Sequence, residues 1–397
     1  MNYLSKKSIT DVSIKNKTVF LRCDLNVPLD SELNIVDTKK IDESLKTINY
    51  LIENNSKIII CSHLGRPKSK NDTNFSLKPV ANYLSKVLKK EITLLPDITG
   101  ENTKKAIKKL NFGSICMLEN IRFDERETKN DDGFSKELAS LADIYINDAF
   151  AVCHRAHAST VGITKYLPSA CGFLVAKEIN ILENNLKSPK KPFVAILGGA
   201  KVSDKIEIIN NLMSKVDTFI IGGGMSYTFT NALGYSVGNS ICEKDKISLA
   251  RDIMAKAKEK NVKIVLPVDN TVGLEYKENT EFKTVDSDKI PSDWMGLDIG
   301  PKTIKLFTET ILKAGTIIWN GPMGVYEWKS FQKGTAGIAK AVANSGATSI
   351  IGGGDSAAAI QNLGFKNKVT HVSTGGGATL KFLEGKSLPA LDAIDEK

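Results

Sequence analysis

Short continuous apolar runs, each followed by a longer amphipathic stretch, recur along the whole chain, and no other feature limits its fold so severely. Runs at Thr18–Arg22, Lys57–Cys61, Ile92–Leu95, Ser114–Leu118 and Ile144–Ile146 make one series. Phe193–Leu197, Thr218–Ile221, Lys263–Leu266, Thr316–Trp319, Ser349–Ile351 and Val369–Val372 make a second. Between them lie amphipathic segments such as Asp204–Lys215 and Lys246–Lys260. Strands without polar alternation, separated by helices, belong to parallel sheets buried on both faces. Two series predict an α/β protein of two doubly wound, Rossmann-like domains facing a cleft, which suits 397 residues. Leu167–Leu186 reads as a long interdomain helix, and Ser188–Pro192 (SPKKP) as the linker after it. The expected partition is an N-terminal domain over 1–170, a hinge helix over 171–186 and a C-terminal domain over 187–384.

Composition removes several function classes. No apolar run approaches the 18 or so residues that span a bilayer, and the N-terminus has no apolar signal core. Cys23, Cys61, Cys116, Cys153, Cys171 and Cys242 lie far apart with no C-x-x-C pair, so reduced, mostly buried thiols are expected. The formal charge of +9 is spread evenly, without a basic tail. Lysines scattered over polar helix faces signify solubility rather than a nucleic-acid surface. A cytoplasmic monomer with no nucleic-acid or membrane partner is expected.

Ligands of doubly wound sheets bind at the carboxyl ends of the strands, and there the two series differ. First-half strands run into Asp24-Leu25-Asn26, His63-Leu64-Gly65-Arg66, Glu119-Asn120-Ile121-Arg122 and Asn147-Asp148. Only six of the 54 basic residues are Arg, yet five of those six precede residue 156, and Arg22, Arg66, Arg122 and Arg155 sit in or beside these motifs. Arg grips phosphate and carboxylate with a planar fork, so its choice over Lys here marks anion geometry. His154-x-x-His157 has no third ligand at helical spacing and reads poorly as a metal pair.

Second-half strands run into Gly198-Gly199-Ala200-Lys201, Gly222-Gly223-Gly224, Asn320-Gly321-Pro322, Gly352-Gly353-Gly354-Asp355 and Gly375-Gly376-Gly377. Glycine-rich turns that open helices let backbone N–H groups face a phosphate. Gly352-x-Gly354-x-x-Ala357 lacks the acidic residue of a dinucleotide fingerprint, and Asp355 instead suits Mg²⁺ held against phosphates. Gly385-Lys386-Ser387 is no Walker A end, because Leu380 stands where Gly is required. Lys201 and Lys205, four apart beside a Gly-Gly turn, are expected on one helix face as phosphate contacts.

In this order the motifs RCDLNVP (Arg22–Pro28), SHLGRP (Ser62–Pro67), LENIRF (Leu118–Phe123), NDAFAVCHRAHAST (Asn147–Thr160), GGAKVSDKI (Gly198–Ile206), WMGLDIGP (Trp294–Pro301), WNGPMGVYE (Trp319–Glu327), GGGDS (Gly352–Ser356) and STGGGA (Ser373–Ala378) closely resemble the phosphoglycerate kinase family over essentially the whole chain. The resemblance implies reversible phosphoryl transfer between 1,3-bisphosphoglycerate and MgADP, giving 3-phosphoglycerate and MgATP. It implies that Asp24 and Asn26 meet the hydroxyl and carboxyl end of the glycerate. His63, with Leu64 and Gly65, Arg66, Arg122 and Arg155 would then take its phosphate and carboxylate. On the nucleotide side it implies Lys201 and Lys205 at the phosphates, with Gly222, Gly223, Asn320, Gly353, Gly354 and Ser356 around them. Asp355 would hold Mg²⁺, Gly296, Leu297, Pro322 and Val325 would line the adenosine pocket, and Glu327 would bind the ribose. Residues from about 385 would return to the N-terminal domain.

One departure concerns the reaction itself. The family carries Arg before the Ile of a DTRI-like segment, and here Asp37-Thr38-Lys39-Lys40-Ile41 puts Lys40 there, keeping the charge and losing the fork. The implied chemistry needs no general base, because a carboxylate nucleophile is ionised at pH 7. It needs positioning and charge neutralisation from Lys40, Arg155, Lys205, Mg²⁺ on Asp355 and the helix start at Gly376. Two alternatives stand beside it: a dinucleotide-dependent dehydrogenase, and a slow or non-catalytic homologue because of Lys40.

Overall fold

A computed structural model describes residues 2–69 and 72–397. The chain forms two compact units, one running through Glu183 and taking up Ser387–Lys397, the other Asn184–Lys386.

The first unit is built from β1 (Thr18–Cys23), α1 (Lys39–Glu53), β2 (Lys57–Cys61), α2 (Lys78–Leu88), β3 (Ile92–Leu95), α3 (Glu101–Lys109), β4 (Ile115–Leu118), α4 (Asp132–Ala139), β5 (Ile144–Asp148), β6 (Ser169–Cys171) and α5 (Phe173–Lys187), whose last residues belong to the second unit. Its six strands pair in the order β3-β4-β2-β1-β5-β6, every pair parallel. Val19, Leu21, Ile58, Ile60, Met117 and Ile146 are buried on one face of this sheet, and Phe20, Ile59, Cys116 and Tyr145 on the other. That is why these strands read as unbroken apolar runs.

The second unit repeats the plan. It contains β7 (Phe193–Leu197), α6 (Ile206–Leu212), β8 (Thr218–Ile221), α7 (Met225–Ala232), α8 (Ile247–Glu259), β9 (Lys263–Val265), β10 (Asp269–Gly273), β11 (Phe282–Asp286), β12 (Met295–Ile299), α9 (Pro301–Ile311), β13 (Thr316–Asn320), α10 (Lys333–Asn344), β14 (Thr348–Gly352), α11 (Gly354–Asn362), β15 (His371–Val372) and α12 (Gly377–Leu383). A parallel sheet runs β15-β14-β13-β7-β8-β9, and β11-β10-β12 forms a small antiparallel sheet. Helix α13 (Pro389–Asp392) belongs to the first unit, where Leu388, Ala390, Leu391 and Ile394 are buried and Tyr3 Oη accepts from Leu388 N at 2.7 Å.

Three expectations change. Residues 269–299 carry three strands absent from the sequence reading, because β11 is largely exposed and lacks the unbroken apolar run used to find the others. The helix expected from Leu167 starts at Phe173, since Ser169–Cys171 pairs with Tyr145–Asn147 as a buried edge strand. The division between units falls inside α5, not at Ser188–Pro192. All six cysteines are free, and Cys242 alone among them is not fully buried.

The start of α5 is fixed by the end of β5. Asp148 Oδ1 accepts from Leu174 N at 2.8 Å and from Val175 N at 3.4 Å, and Thr47 Oγ1 on α1 accepts from Phe173 N at 3.0 Å. Gly172 permits this approach, as a Cβ there would lie 2.3 Å from Asp148 Oδ1. Burial raises the Asp148 carboxyl to about 6, above the roughly 3.9 of an unfolded chain. The folded protein thus binds the extra proton between those values, and this stabilisation is complete below the unfolded pKa and lost as pH rises through about 6. Asp148→Asn keeps a capping oxygen without the titration, so its urea midpoint should gain on wild type between about pH 4 and about pH 6; a constant gap would contradict the assignment. Asp148→Ala should cost ~1 kcal/mol through the lost cap.

Candidate functional site

On the first unit the cations converge at the carboxyl ends of β1, β2 and β4. Lys40, in the first turn of α1, donates to Asp24 Oδ2 at 2.7 Å, and His63 Nδ1 lies 3.9 Å from Asp24 Oδ1. Asn26 Oδ1 accepts from Gly65 N at 2.8 Å, and Arg122 donates to Gly65 O at 2.7 Å. Buried Asn120 organises these loops: its Oδ1 accepts from Leu64 N and Arg122 N, and its Nδ2 donates to Leu64 O and Phe75 O. Arg66, Arg122, Arg155 and His157 line one cavity of about 330 Å³. Leu64 is buried and serves the loop through its backbone.

Charge crowding shows in the titrations. Burial, with the charges of Arg155 and Arg22, pulls the Arg122 guanidinium down to about 10. Burial, with Arg22, Arg122, Lys40 and Arg155, holds His63 well below its usual range, so it is neutral at pH 7 rather than one of the cations. Beyond the effect of burial, like charges lower both groups, and an anion would relieve that repulsion. A larger hollow of about 1050 Å³ on this unit is lined by Glu32, Asp97, Glu119 and Asp124 and includes none of the cationic set.

Arg22 is placed differently from the other motif arginines. It is 1 % exposed, its Nε donates to Ser159 Oγ at 2.9 Å, and Nη1 donates to Cys23 O. It supports the loop from below. The sequence reading missed Glu127, wholly buried, which accepts from Ser159 N at 2.9 Å and from Ser159 Oγ at 2.7 Å. A Glu in a charged stretch, E-R-E-T-K, gives no sign that it points inward. His154 Nε2 accepts from Arg155 Nε at 3.2 Å, and His157 Nδ1 lies 3.6 Å from Glu127. Among the described residues no group of three or more His, Cys, Asp or Glu is arranged to hold a metal.

On the second unit the loops after β7, β8 and β13 are joined backbone to backbone. Gly199 N donates to Pro322 O at 3.0 Å, Gly223 N to Met323 O at 3.1 Å, and Met225 N to Gly199 O at 2.9 Å. A Cβ on Gly198 would lie 2.1 Å from Pro322 O, and one on Gly222 would lie 2.5 Å from Met323 Sδ. The glycines therefore serve close approach as well as ligand access. Beside them is a cavity of about 280 Å³ lined by Gly223, Gly296, Leu297, Pro322, Val325, Glu327 and Asp355 from the expected set. Tyr227, Ile241, Tyr276, Met295 and Met323 also line it. Sequence reasoning missed these five because apolar and aromatic residues look like core until folding leaves them facing a hollow.

The remaining expected residues lie outside the lining of that cavity. Lys201 and Lys205 do not share a helix face: α6 begins at Ile206, and both lysines lie on the preceding turn, where Gly199 at φ +103° bends the chain. Lys201 is exposed, whereas Lys205 is half-buried, donates to Asn320 Oδ1 and has its ammonium pKa lowered by burial. Asp355 is exposed in the first turn of α11, after Gly353 and Gly354. Ser356 is buried, and its hydroxyl accepts from Gly321 N at 2.7 Å, holding a turn. Gly376, at φ +46°, leads into α12.

The phosphoglycerate kinase family model matches residues 9–386. Phosphoglycerate kinase of Clostridium kluyveri is 54% identical over 396 residues, covering 99% of each chain. That of Clostridium botulinum is 54% identical over 399 residues and all of both chains. The structure of phosphoglycerate kinase from Coxiella burnetii superposes with a TM-score of 0.90 at 41% identity, covering 98% of both. The Pyrococcus horikoshii structure gives 0.83 at 34% identity, again over 98% of both. A parallel-sheet unit with an arginine-lined cavity, a second with a glycine-walled one, and relatives matched end to end place this chain in the phosphoglycerate kinase family of phosphotransferases.

Proposed function

We propose that the chain transfers a phosphoryl group reversibly between 1,3-bisphosphoglycerate and MgADP, giving 3-phosphoglycerate and MgATP. What supports this above all is the division of chemistry between the two units: crowded cations at one set of strand ends, bare backbone at the other. Arg66, Arg122 and Arg155 grip the phosphate and carboxylate of the glycerate, and neutral His63 contributes a directional hydrogen bond. Asp24 and Asn26 meet its hydroxyl and carboxyl end. The apolar cavity takes the adenosine, with Glu327 on the ribose, and Lys201 and Lys205 take the nucleotide phosphates.

A single exposed carboxylate such as Asp355 fits Mg²⁺, which is held mainly by substrate phosphates and water rather than by an all-protein cage. When bound there with the nucleotide it would neutralise charge on the phosphates. Lys40 and Lys205 supply further positive charge, and Arg155 orients the carboxylate nucleophile, so no general base is required. With the substrates assigned to different units, transfer requires closure about α5, which also keeps water from the acyl phosphate. Small-angle scattering with both substrates bound should show a smaller radius of gyration than the free protein, and an unchanged value would count against closure.

A coupled assay with 3-phosphoglycerate and ATP tests the reaction directly. Absence of turnover with both ligands bound would leave a binding protein of the same fold. Arg155→Ala should weaken 3-phosphoglycerate on the order of tenfold or more, as one charge-assisted contact is lost, and leave MgADP affinity unchanged by calorimetry. Equal loss of both would refute the partition. Lys40→Arg restores a fork beside Asp24 and should raise kcat; a fall would mean the site is adapted to Lys.

A further inference from the structure

The loops that carry the functional cations are fastened in the same way on both units, by a pair that faces no ligand. On the first unit, Glu127 takes both donors of Ser159, its N–H at 2.9 Å and its hydroxyl at 2.7 Å. On the second, Glu243 takes both donors of Ser203, its N–H at 3.0 Å and its hydroxyl at 2.5 Å. Ser159 follows Arg155 by four residues, and Ser203 lies midway between Lys201 and Lys205. Neither glutamate lines the cavity of its unit.

Each clasp is anchored behind the loop. Glu127 O accepts from Ala158 N at 2.9 Å, and Arg22 Nε donates to the clasped Ser159 hydroxyl at 2.9 Å. Glu243 N donates to Thr228 Oγ1 on α7 at 3.1 Å. Against its burial, the bonds from Ser203 hold the Glu243 carboxyl below the usual range. A carboxylate that accepts two bonds from one residue fixes both the position and the rotation of that residue, as a single bond does not. A loop displaced by about 1 Å can lose most of the benefit of a correctly placed charge.

We propose that Glu127 and Glu243 are positioning residues, each setting through its serine the loop that presents cations to one substrate: Glu127 for the phosphoglycerate and Glu243 for the nucleotide. This rests on the substrate assignment above. The second unit thus repeats the device of the first with unrelated sequence around it, HRAHAS in one and AKVSDK in the other.

The test compares Glu127→Gln and Glu243→Gln with wild type, using calorimetry with 3-phosphoglycerate and MgADP separately and amide hydrogen exchange on the free proteins. Glu127→Gln should weaken 3-phosphoglycerate on the order of tenfold, leave MgADP unchanged, and speed exchange in 155–160 alone. Glu243→Gln should do the converse, with faster exchange in 199–205 alone. Ser203→Ala, which removes one of the two bonds, should give a smaller loss of the same selectivity, and Ser159→Ala, which also takes the acceptor of Arg22 Nε, should lose 3-phosphoglycerate selectively; both serve where a Gln variant does not fold. Lowered thermal stability with both affinities intact, or equal loss of both ligands, would overturn the proposal. If wild type binds neither ligand, the substrate assignment fails, and local exchange still decides whether the clasps set the loops.

Discussion

All strands of a parallel sheet end on the same edge, and that constraint brings together residues far apart in sequence. On the first unit it collects the ends of β1, β2, β4 and β5, so that the charges of Lys40, Arg122 and Arg155 act on His63, and that of Arg155 on Arg122. On the second it collects three glycine turns closely enough for their backbones to hydrogen-bond directly. One architecture thus yields two opposite surfaces, determined by what stands at the end of each strand.

Crowding cations is unfavourable, and the fold limits the cost by placing carboxylates below the cluster. Asp24 pairs with Lys40 and lies close to His63, while Glu127 lies beneath Arg22 and beside His157. Arg122 remains depressed despite them. The compensation is therefore partial, and the remaining positive potential is what an incoming phosphate ester would satisfy. Lys40 is already bonded to Asp24, so any anion that recruits it must compete with a carboxylate at 2.7 Å.

The two sheets were legible because parallel strands buried on both faces leave continuous apolar runs, and the clustering of arginines because Arg is rare in a lysine-rich chain. What escaped has physical reasons. Strand β11 is largely exposed and carries no apolar run, and Ser169–Cys171 is too short and too polar at its start to stand apart from the helix after it. Spacing alone suggested that Lys201 and Lys205 share a helix face, but the positive φ at Gly199 keeps that segment a turn. Arg22 and Arg122 look alike in sequence, yet one is sealed beneath the loop and the other lines the cavity. Glu127 and Glu243 left no trace at all, since nothing local distinguishes a glutamate that folds inward from one that meets water.

The glycine walls of the second unit also limit how this site can change over generations. A Cβ on Gly296 would stand 1.8 Å from Tyr227 Oη, and one on Gly223 would stand 2.7 Å from Gly199 N. A substitution at these glycines can only add atoms. Each would force a neighbouring group to move. Under the nucleotide assignment proposed above, a change of base preference would start more readily at Ile241 and Tyr276, which line the same cavity and carry side chains that can be exchanged.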